Sequence, residues 1–251
     1  MIIGAHVPQE GDPIEHAEAV GAGAIQMFVG PPQSWKKPPP RPDADELKAS
    51  DLPIYVHAPY LINVASPNNR VRIPSRKILA GTLERSVEIG ATGVIVHAGH
   101  AEDGIEHGFM RWRKVFEELD DDAPPILIEN TAGGENAMGR QADVIARLWE
   151  HLEEFKPGFC FDTCHAHAGG EDLSDVVERL LASVGSIDLV HANNSRDAAG
   201  SGRDRHANFS AGKIDIDVLV GMITAAKAPA VICETPWPEI AEDLALLKER
   251  L

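Results

Sequence analysis

Only three cysteines occur in the 251 residues, Cys160, Cys164 and Cys233. A count that small and odd excludes a disulfide framework, so a reducing cytoplasm is the expected compartment. No apolar run approaches the ~18 residues that a membrane-crossing helix needs. The opening MIIGAHVPQEGDP has neither a basic segment nor a long apolar core, so no secretory signal is expected. Positive charge is scarce too. Lys and Arg number 23 against 39 Asp and Glu, a formal net charge of −16. Taken alone, that balance argues against a partner rich in phosphate, which calls for a basic surface. Much of the acid is gathered in 117–122 (EELDDD) and 150–154 (EHLEE), which read as solvated helix ends. Linkers, low-complexity segments and short-period repeats are missing as well. The expectation is one globular domain spanning 1–251, with 43% hydrophobic residues to fill its core.

What is present is one unit repeated eight times. Short apolar runs at 2–7, 24–29, 53–58, 93–98, 125–130, 158–162, 187–193 and 230–234 read as strands. Between and after them come helix-like segments at 13–22, 43–49, 74–90, 105–119, 137–155, 172–184, 215–226 and 238–251. Strands that are nearly continuous in apolar residues and alternate with helices indicate a parallel sheet covered on both faces. Eight such units in about 250 residues predict an α/β fold of the (β/α)8 TIM-barrel type. An open doubly wound sheet is the alternative. It normally has fewer strands, and no GxGxxG turn follows the first run.

In a barrel of this type, chemistry sits at the C-terminal ends of the strands. The residues there are His6, Gln26 with Phe28, His57, His97, Glu129, Asp162, His191 and Glu234. From the third run to the eighth, every run therefore ends in a side chain able to bind a metal. Histidine and carboxylates form strands poorly and are costly to bury unpaired, so chance placement is a weak explanation. The stretch FDTCHAHAGGED (161–172) adds His165 three residues beyond Asp162. The later DRH adds Asp204 and His206, which share a face if that loop is extended.

Each of these features has a plainer reading. Any one histidine is as readily a hydrogen-bonded barrel residue as a ligand. DRH in isolation is a salt-bridged loop. His16, His107 and His151 fall in helix-like segments and read as surface residues, while His100 and His167 read as supporting or solvent positions. Cys164 reads as a buried thiol rather than a ligand. Nine ligand-type residues on one face are harder to dismiss. They exceed one catalytic zinc, which takes about three protein ligands. Two or three metals are implied, an arrangement suited to phosphodiester hydrolysis. Bound metals would also offset part of the formal negative charge.

The ordered motifs GAHV (4–7), HAPYLINVASP (57–67), LIENTAG (127–133), FDTCHAHAGG (161–170), HANNSRDAAGSGRDRHANFSAGKI (191–214) and ICETP (232–236) resemble the endonuclease IV family over nearly the whole chain. These are metal-dependent apurinic/apyrimidinic endonucleases of DNA base-excision repair. The resemblance implies three Zn2+, with Mn2+ admissible at one site. His57, His97 and Glu129 would hold the first. Glu129 would bridge to the second, completed by Asp162, His191 and Glu234. His165, Asp204 and His206 would hold the third. The implied reaction is hydrolysis 5′ to an abasic site in duplex DNA, leaving a 3′-hydroxyl and a 5′-deoxyribose phosphate. Glu129 and Glu234 would be its catalytic carboxylates, with Glu234 orienting or deprotonating the attacking water. Tyr60 and Leu61 resemble the residues that push into the base stack, and Trp35, Gln33 and Arg205 would also meet DNA. The basic residues Lys36, Lys37, Arg41, Arg70, Arg72, Arg196, Arg203, Arg205 and Lys213 would line the DNA face. A monomer with no membrane partner is the default expectation.

Three positions depart from the family's pattern. Gln33 lies near the position where the family has a DNA-wedging arginine, in a loop (30–35, GPPQSW) that has prolines and glycine instead; Asn194 stands where the family has Asp, and Ala98 stands where it has Pro. They leave the metal ligands intact and bear on DNA affinity. Two other readings stay open: a sugar isomerase or epimerase on a xylose-isomerase-like barrel, and an abasic-DNA binding protein without turnover.

Overall fold

The computed structural model describes residues 1–120 and 122–251. Asp121, part of the acidic stretch 117–122, lies outside the described residues. Strands β1 (Ile2–His6), β2 (Ile25–Met27), β3 (Ile54–His57), β4 (Gly93–His97), β5 (Ile126–Glu129), β6 (Gly158–Asp162) and β7 (Leu189–Ala192) follow the expected runs. A short ribbon of β8 (Asn194–Ser195) and β9 (His206–Ala207) intervenes before β10 (Ala230–Cys233). The eight long strands close in the order β1-β10-β7-β6-β5-β4-β3-β2, all neighbours parallel. The (β/α)8 barrel is therefore the fold.

The outer ring is built from α1 (Pro13–Val20), α2 (Ala44–Ala49), α3 (Asn69–Glu88), α4 (Ile105–Phe116), α5 (Ala142–Leu152), α7 (Val176–Val184), α8 (Ile216–Ala226) and α9 (Ile240–Arg250), while the short α6 (Thr163–Gly169) sits at the end of β6. Their apolar faces pack on the outside of the strands, where Trp112, Phe109, Leu148, Leu219 and Leu244 are fully buried. Among the described residues, no helix is long and apolar enough to cross a membrane.

Inside the barrel, Ala24, Tyr55, Ile95, Leu127, Cys160, Leu189, Ala230 and Ile232 form a separate apolar cluster. Side chains alternate along a strand with a period of two. Counting two residues on from Ala24, Tyr55, Ile95, Leu127, Cys160, Leu189 and Ile232 gives Gln26, His57, His97, Glu129, Asp162, His191 and Glu234. The polar mouth thus stands directly on a dry plug.

Helix boundaries depart from the pattern reading in three places. Helix α3 begins at Asn69, not near residue 74, and carries Pro74 inside it. Asn68 caps it by accepting from Arg70 N at 2.9 Å, and Arg72 donates to the carbonyls of Ser66 and Pro67. Pro74 gives up the N–H that would meet Arg70 O and its ring crowds that carbonyl, a cost the helix carries near its start. Helix α5 begins at Ala142 instead of 137. The preceding segment turns at Asn136 (φ 51°), and Ala137 pairs with His100 in a β-bridge. Helix α7 begins at Val176, not 172, because Asp172 binds the Ser174 hydroxyl and N–H instead.

Candidate metal centre

Helix α6 was not anticipated, and it organises the site. Asp162 is both the last residue of β6 and the N-cap of α6, its Oδ1 accepting from His165 N at 2.6 Å. The D-x-x-H spacing is therefore the spacing from N-cap to third helical residue. Gly170, at φ 85°, ends the helix in a left-handed conformation suited to glycine. The available signal was an Asp at a strand end followed by a short segment closing on Gly-Gly.

The nine residues expected to be ligands meet in one cluster. Glu129, fully buried, stands at its centre: Oε2 lies 3.3 Å from His57 Nε2 and 3.2 Å from His97 Nε2, and Oε1 lies 2.9 Å from His191 Nδ1 and 3.4 Å from His165 Nδ1. Glu234 Oε2 lies 3.3 Å from His191 Nδ1. On the other side, Asp204 reaches His165 Nε2 at 3.1 Å and His206 Nε2 at 3.0 Å. His206 Nε2 is also 3.7 Å from Asp162 Oδ2. The donor atoms of His57, His97 and Glu129 all lie within 4.8 Å of one another, as do those of His57, His191 and Glu234, and of Asp162, His165 and His206.

Unlike charges in a poorly solvated pocket shape one another's titration. Burial opposes the charged form of Glu129, but the rings of His191 and His97 outweigh it and hold the carboxylate well below its ordinary range. Glu234 is lowered to about 2 against burial, chiefly by His191 and His206. His191 and His206 are raised to about 9 despite burial, His191 by Glu234 and Glu129, His206 by Asp204, Asp162 and Glu234. For Asp162, burial wins and the pKa rises. His6 moves the other way, to about 4, because burial outweighs Glu234.

Several residues to which the sequence reading gave no role hold this cluster. Asn193 donates to Asp162 Oδ2 at 2.7 Å and Glu234 Oε2 at 3.0 Å, and accepts from Glu234 N. Asn130 accepts from Asp162 N and donates to Asp162 O, while its own carbonyl meets His165 Nδ1 at 2.8 Å. Gln26 links His6, His191 and Glu234. Nothing in sequence spacing marks an asparagine as a brace. Cys164 is a buried thiol raised to about 12 by burial.

Above the cluster opens a cleft of about 720 Å³ lined by His6, Phe28, Tyr60, Arg196, Trp237 and all the ligand-type residues except Asp162 and His191. Tyr60 is 52% exposed and packs edge-on against Phe28 at 5.0 Å, while Trp35 is 48% exposed and Gln33 is also exposed. Leu61 is partly buried beside Tyr60 and lines a smaller chamber of about 300 Å³. The basic residues differ from the expected uniform face. Lys37 pairs with Glu84 on α3, Arg41 with Asp43, and both Arg203 and Arg205 with Asp197. Arg196 lines the cleft itself.

A family model described as a xylose isomerase-like TIM barrel matches residues 14–250. A protein called probable endonuclease 4 from Mycobacterium marinum is 56% identical over 253 residues, covering 100% of this chain and 99% of its own. The chain belongs to the endonuclease IV family. The Mycobacterium tuberculosis member of that name is 57% identical over 252 residues, with 100% and 99% covered. The crystal structure of endonuclease IV from Thermus thermophilus superposes with a TM-score of 0.87 at 29% identity, covering 100% of this chain and 98% of that one. A D-tagatose 3-epimerase-like protein shares the fold, with a TM-score of 0.78 at 21% identity over 100% and 97% of the two chains.

Two departures from the endonuclease IV pattern have local explanations. Asn194, fully buried, donates to the carbonyls of Phe209 and Ile214 and accepts from the N–H groups of Ser195 and Ile214. It is a loop brace using both ends of an amide. The Ala98 N–H donates to Glu129 O at 3.0 Å, a bond that proline could not make.

Proposed function

We propose that this protein is a metal-dependent endonuclease that cuts the phosphodiester 5′ to abasic sites in duplex DNA, leaving a 3′-hydroxyl and a 5′-deoxyribose phosphate. It acts as a cytoplasmic monomer. The observation that carries this reading is the orphaned centre of the cluster. Glu129 Oε2, His165 Nε2 and His206 Nε2 are buried without a hydrogen-bond partner, although each has an opposite group within ion-pair distance. Buried polar atoms are normally satisfied, and imidazole nitrogens with carboxylate oxygens are the donors zinc takes. The residues present fit the metals the family implies. His57, His97 and Glu129 would hold one Zn2+. Glu129, Asp162, His191 and Glu234 would hold a second. His165, Asp204 and His206 would hold a third, and Mn2+ could replace zinc at one position.

Such ions lower the pKa of bound water toward about 7 and neutralise phosphate oxygens, so no side-chain nucleophile is required. The protein's own part is arrangement. The apolar plug beneath the site keeps water from below. Glu129 joins the first two positions, and Glu234, oriented by Gln26 and Asn193, is placed to take a proton from the attacking water. Tyr60 lines the cleft, and with Leu61, Trp35, Gln33 and Arg205 it would form the rim against which an extruded abasic nucleotide lies. A missing base lowers the work of extrusion. Arg196 provides a cation inside the cleft. A sugar isomerase would have no use for the extra set His165, Asp204 and His206. The cluster with all its ligand-type residues in place also weighs against a binder without turnover.

The deciding experiment is incision of a duplex with one abasic site, with the new ends mapped, for wild type and Glu129→Ala. One cut 5′ to the lesion, abolished in the variant, is expected. Zinc-loaded wild type that neither binds nor cuts this duplex would overturn the proposal.

A further inference from the structure

Among the eight barrel strands, β2 alone brings neither an imidazole nor a carboxylate to the mouth; it brings Gln26. Gln26 is fully buried, and its amide is saturated. Its Oε1 lies 2.6 Å from His191 Nε2. Its Nε2 lies 2.5 Å from Glu234 Oε1 and 2.9 Å from His6 Nδ1.

The direction of each bond follows from what each group can do. An ionised carboxylate only accepts, so the amide nitrogen must face Glu234 and the amide oxygen must face His191. An amide oxygen also only accepts, so His191 Nε2 carries a hydrogen. The second amide hydrogen goes to His6 Nδ1, which leaves the ring hydrogen of neutral His6 on Nε2. Without metal, His191 Nδ1 donates its own hydrogen to Glu129 Oε1, and it is the nitrogen a metal would take on displacing that hydrogen, being the one directed at the carboxylates. It lies 2.9 Å from Glu129 Oε1, 3.3 Å from Glu234 Oε2 and 4.0 Å from Asp162 Oδ2. Reversing the amide would set its oxygen against Glu234 and its nitrogen against His191 Nε2, which removes this assignment.

We propose that Gln26 is a positioning residue that fixes the proton of His191 on Nε2 and so assigns Nδ1 as the metal-binding nitrogen, while holding Glu234 and His6 in place. This rests on the metal-dependent reading of the barrel mouth. A neutral residue that donates twice and accepts once is what the position demands. Glutamate could accept from His191 but would face Glu234 with a like charge and lose the bond to His6. Methionine would fill similar space and make none of the three bonds. Partners of this kind, which hold a ligand without touching the metal, typically change metal affinity by ~10–100-fold when removed.

The test compares wild type, Gln26→Met and Gln26→Glu by zinc content, zinc affinity against a competing chelator, and the ring nitrogen resonances of His191 in the zinc-loaded protein. Wild type should show coordination through Nδ1 and a slowly exchanging Nε2 hydrogen. Gln26→Met should still fold but with a lowered unfolding midpoint, because three buried groups lose their partner; it should lose the slow exchange and bind one equivalent of zinc ~10–100-fold more weakly. Gln26→Glu should retain the slow Nε2 hydrogen and still bind zinc more weakly through the loss of its hold on Glu234. Coordination through Nε2 in wild type, or equal zinc affinity and His191 resonances in wild type and Gln26→Met, overturns the assignment. Wild type that takes up no zinc overturns the metal reading and this inference with it. That failure is distinct from one in which both proteins bind zinc equally.

Discussion

Asp162 Oδ1 accepts a hydrogen bond from His165 N at 2.6 Å, so the carboxylate that ends β6 also starts α6. One side chain does two jobs with two oxygens: Oδ1 caps the helix that carries His165, and Oδ2 receives Asn193 and faces His206. Asparagine can still cap through its side-chain oxygen; alanine cannot. Asp162→Ala should therefore be less stable than Asp162→Asn by about 1 kcal/mol in the metal-free state, while both lose zinc. Urea unfolding of the two variants gives the difference. Equal midpoints would mean that the cap contributes nothing.

The ion-paired cluster makes stability depend on pH and on metal in opposite directions. His191 and His206 are raised from 6.5 to about 9, so their stabilising pairs are complete below 6.5 and lost as pH rises through about 9. Glu234 is lowered from 4.5 to about 2, so its contribution is present above 4.5 and lost as pH falls toward 2. From these groups, metal-free protein should lose stability between pH 6.5 and 9. Zinc needs neutral rings, so its affinity should climb over the same interval, with protons released on binding. Unfolding with and without zinc across that range, and calorimetry in buffers of different ionisation enthalpy, measure both effects. A zinc-binding enthalpy that is independent of the buffer would contradict this account.

Tyr60 touches Phe28, His57 and His97 from above, yet half of it is open to solvent. Tyr60→Ala should weaken abasic-duplex binding and incision by about 10–100-fold, the scale of one stacked base, with zinc content unchanged. A sugar-converting enzyme would be nearly indifferent to this change. Trp35→Ala, at an exposed aromatic that the family resemblance assigns to DNA contact, should act in the same direction.

Asn194→Asp would restore the residue type that the family resemblance places at this position, and it should nonetheless destabilise this protein. The carbonyls of Phe209 and Ile214 would lose their donor and face a carboxylate in a fully buried setting. A loss of about 1–3 kcal/mol is expected from unpaired buried groups. Denaturant unfolding would show it, and an unchanged midpoint would mean that the loop closes by other bonds.

Much of the architecture was legible because it depends on local pattern. Eight apolar runs of strand length, interrupted by helical segments, admit few closed arrangements, and parallel strands with helical crossovers narrow them further. The ligand-type residues were legible for a similar reason. With a period of two, the last inward position of each strand can be counted, and His57, His97, Glu129, Asp162, His191 and Glu234 all fall there. His165, Asp204 and His206 were legible through motif spacing.

Other features depended on neighbours remote in the chain. Whether residues 163–169 form a loop or a helix turns on one capping bond and a glycine. The N-terminus of α3 turns on Asn68 and the chain ends that Arg72 ties together, which outweigh Pro74. The roles of Gln26, Asn130 and Asn193 appear only when strands far apart in the chain are closed into a barrel, because an amide becomes a brace through its partners and not through its spacing. The same holds for charge. The family resemblance sets Lys37, Arg41, Arg203 and Arg205 on the DNA face, and the tertiary structure pairs them with Glu84, Asp43 and Asp197. The chain by itself determined which side chains reach the barrel mouth, since strand periodicity is a local property. The tertiary structure decided which oxygen and which nitrogen of each is left free there, since that depends on hydrogen bonds between strands that only barrel closure brings together.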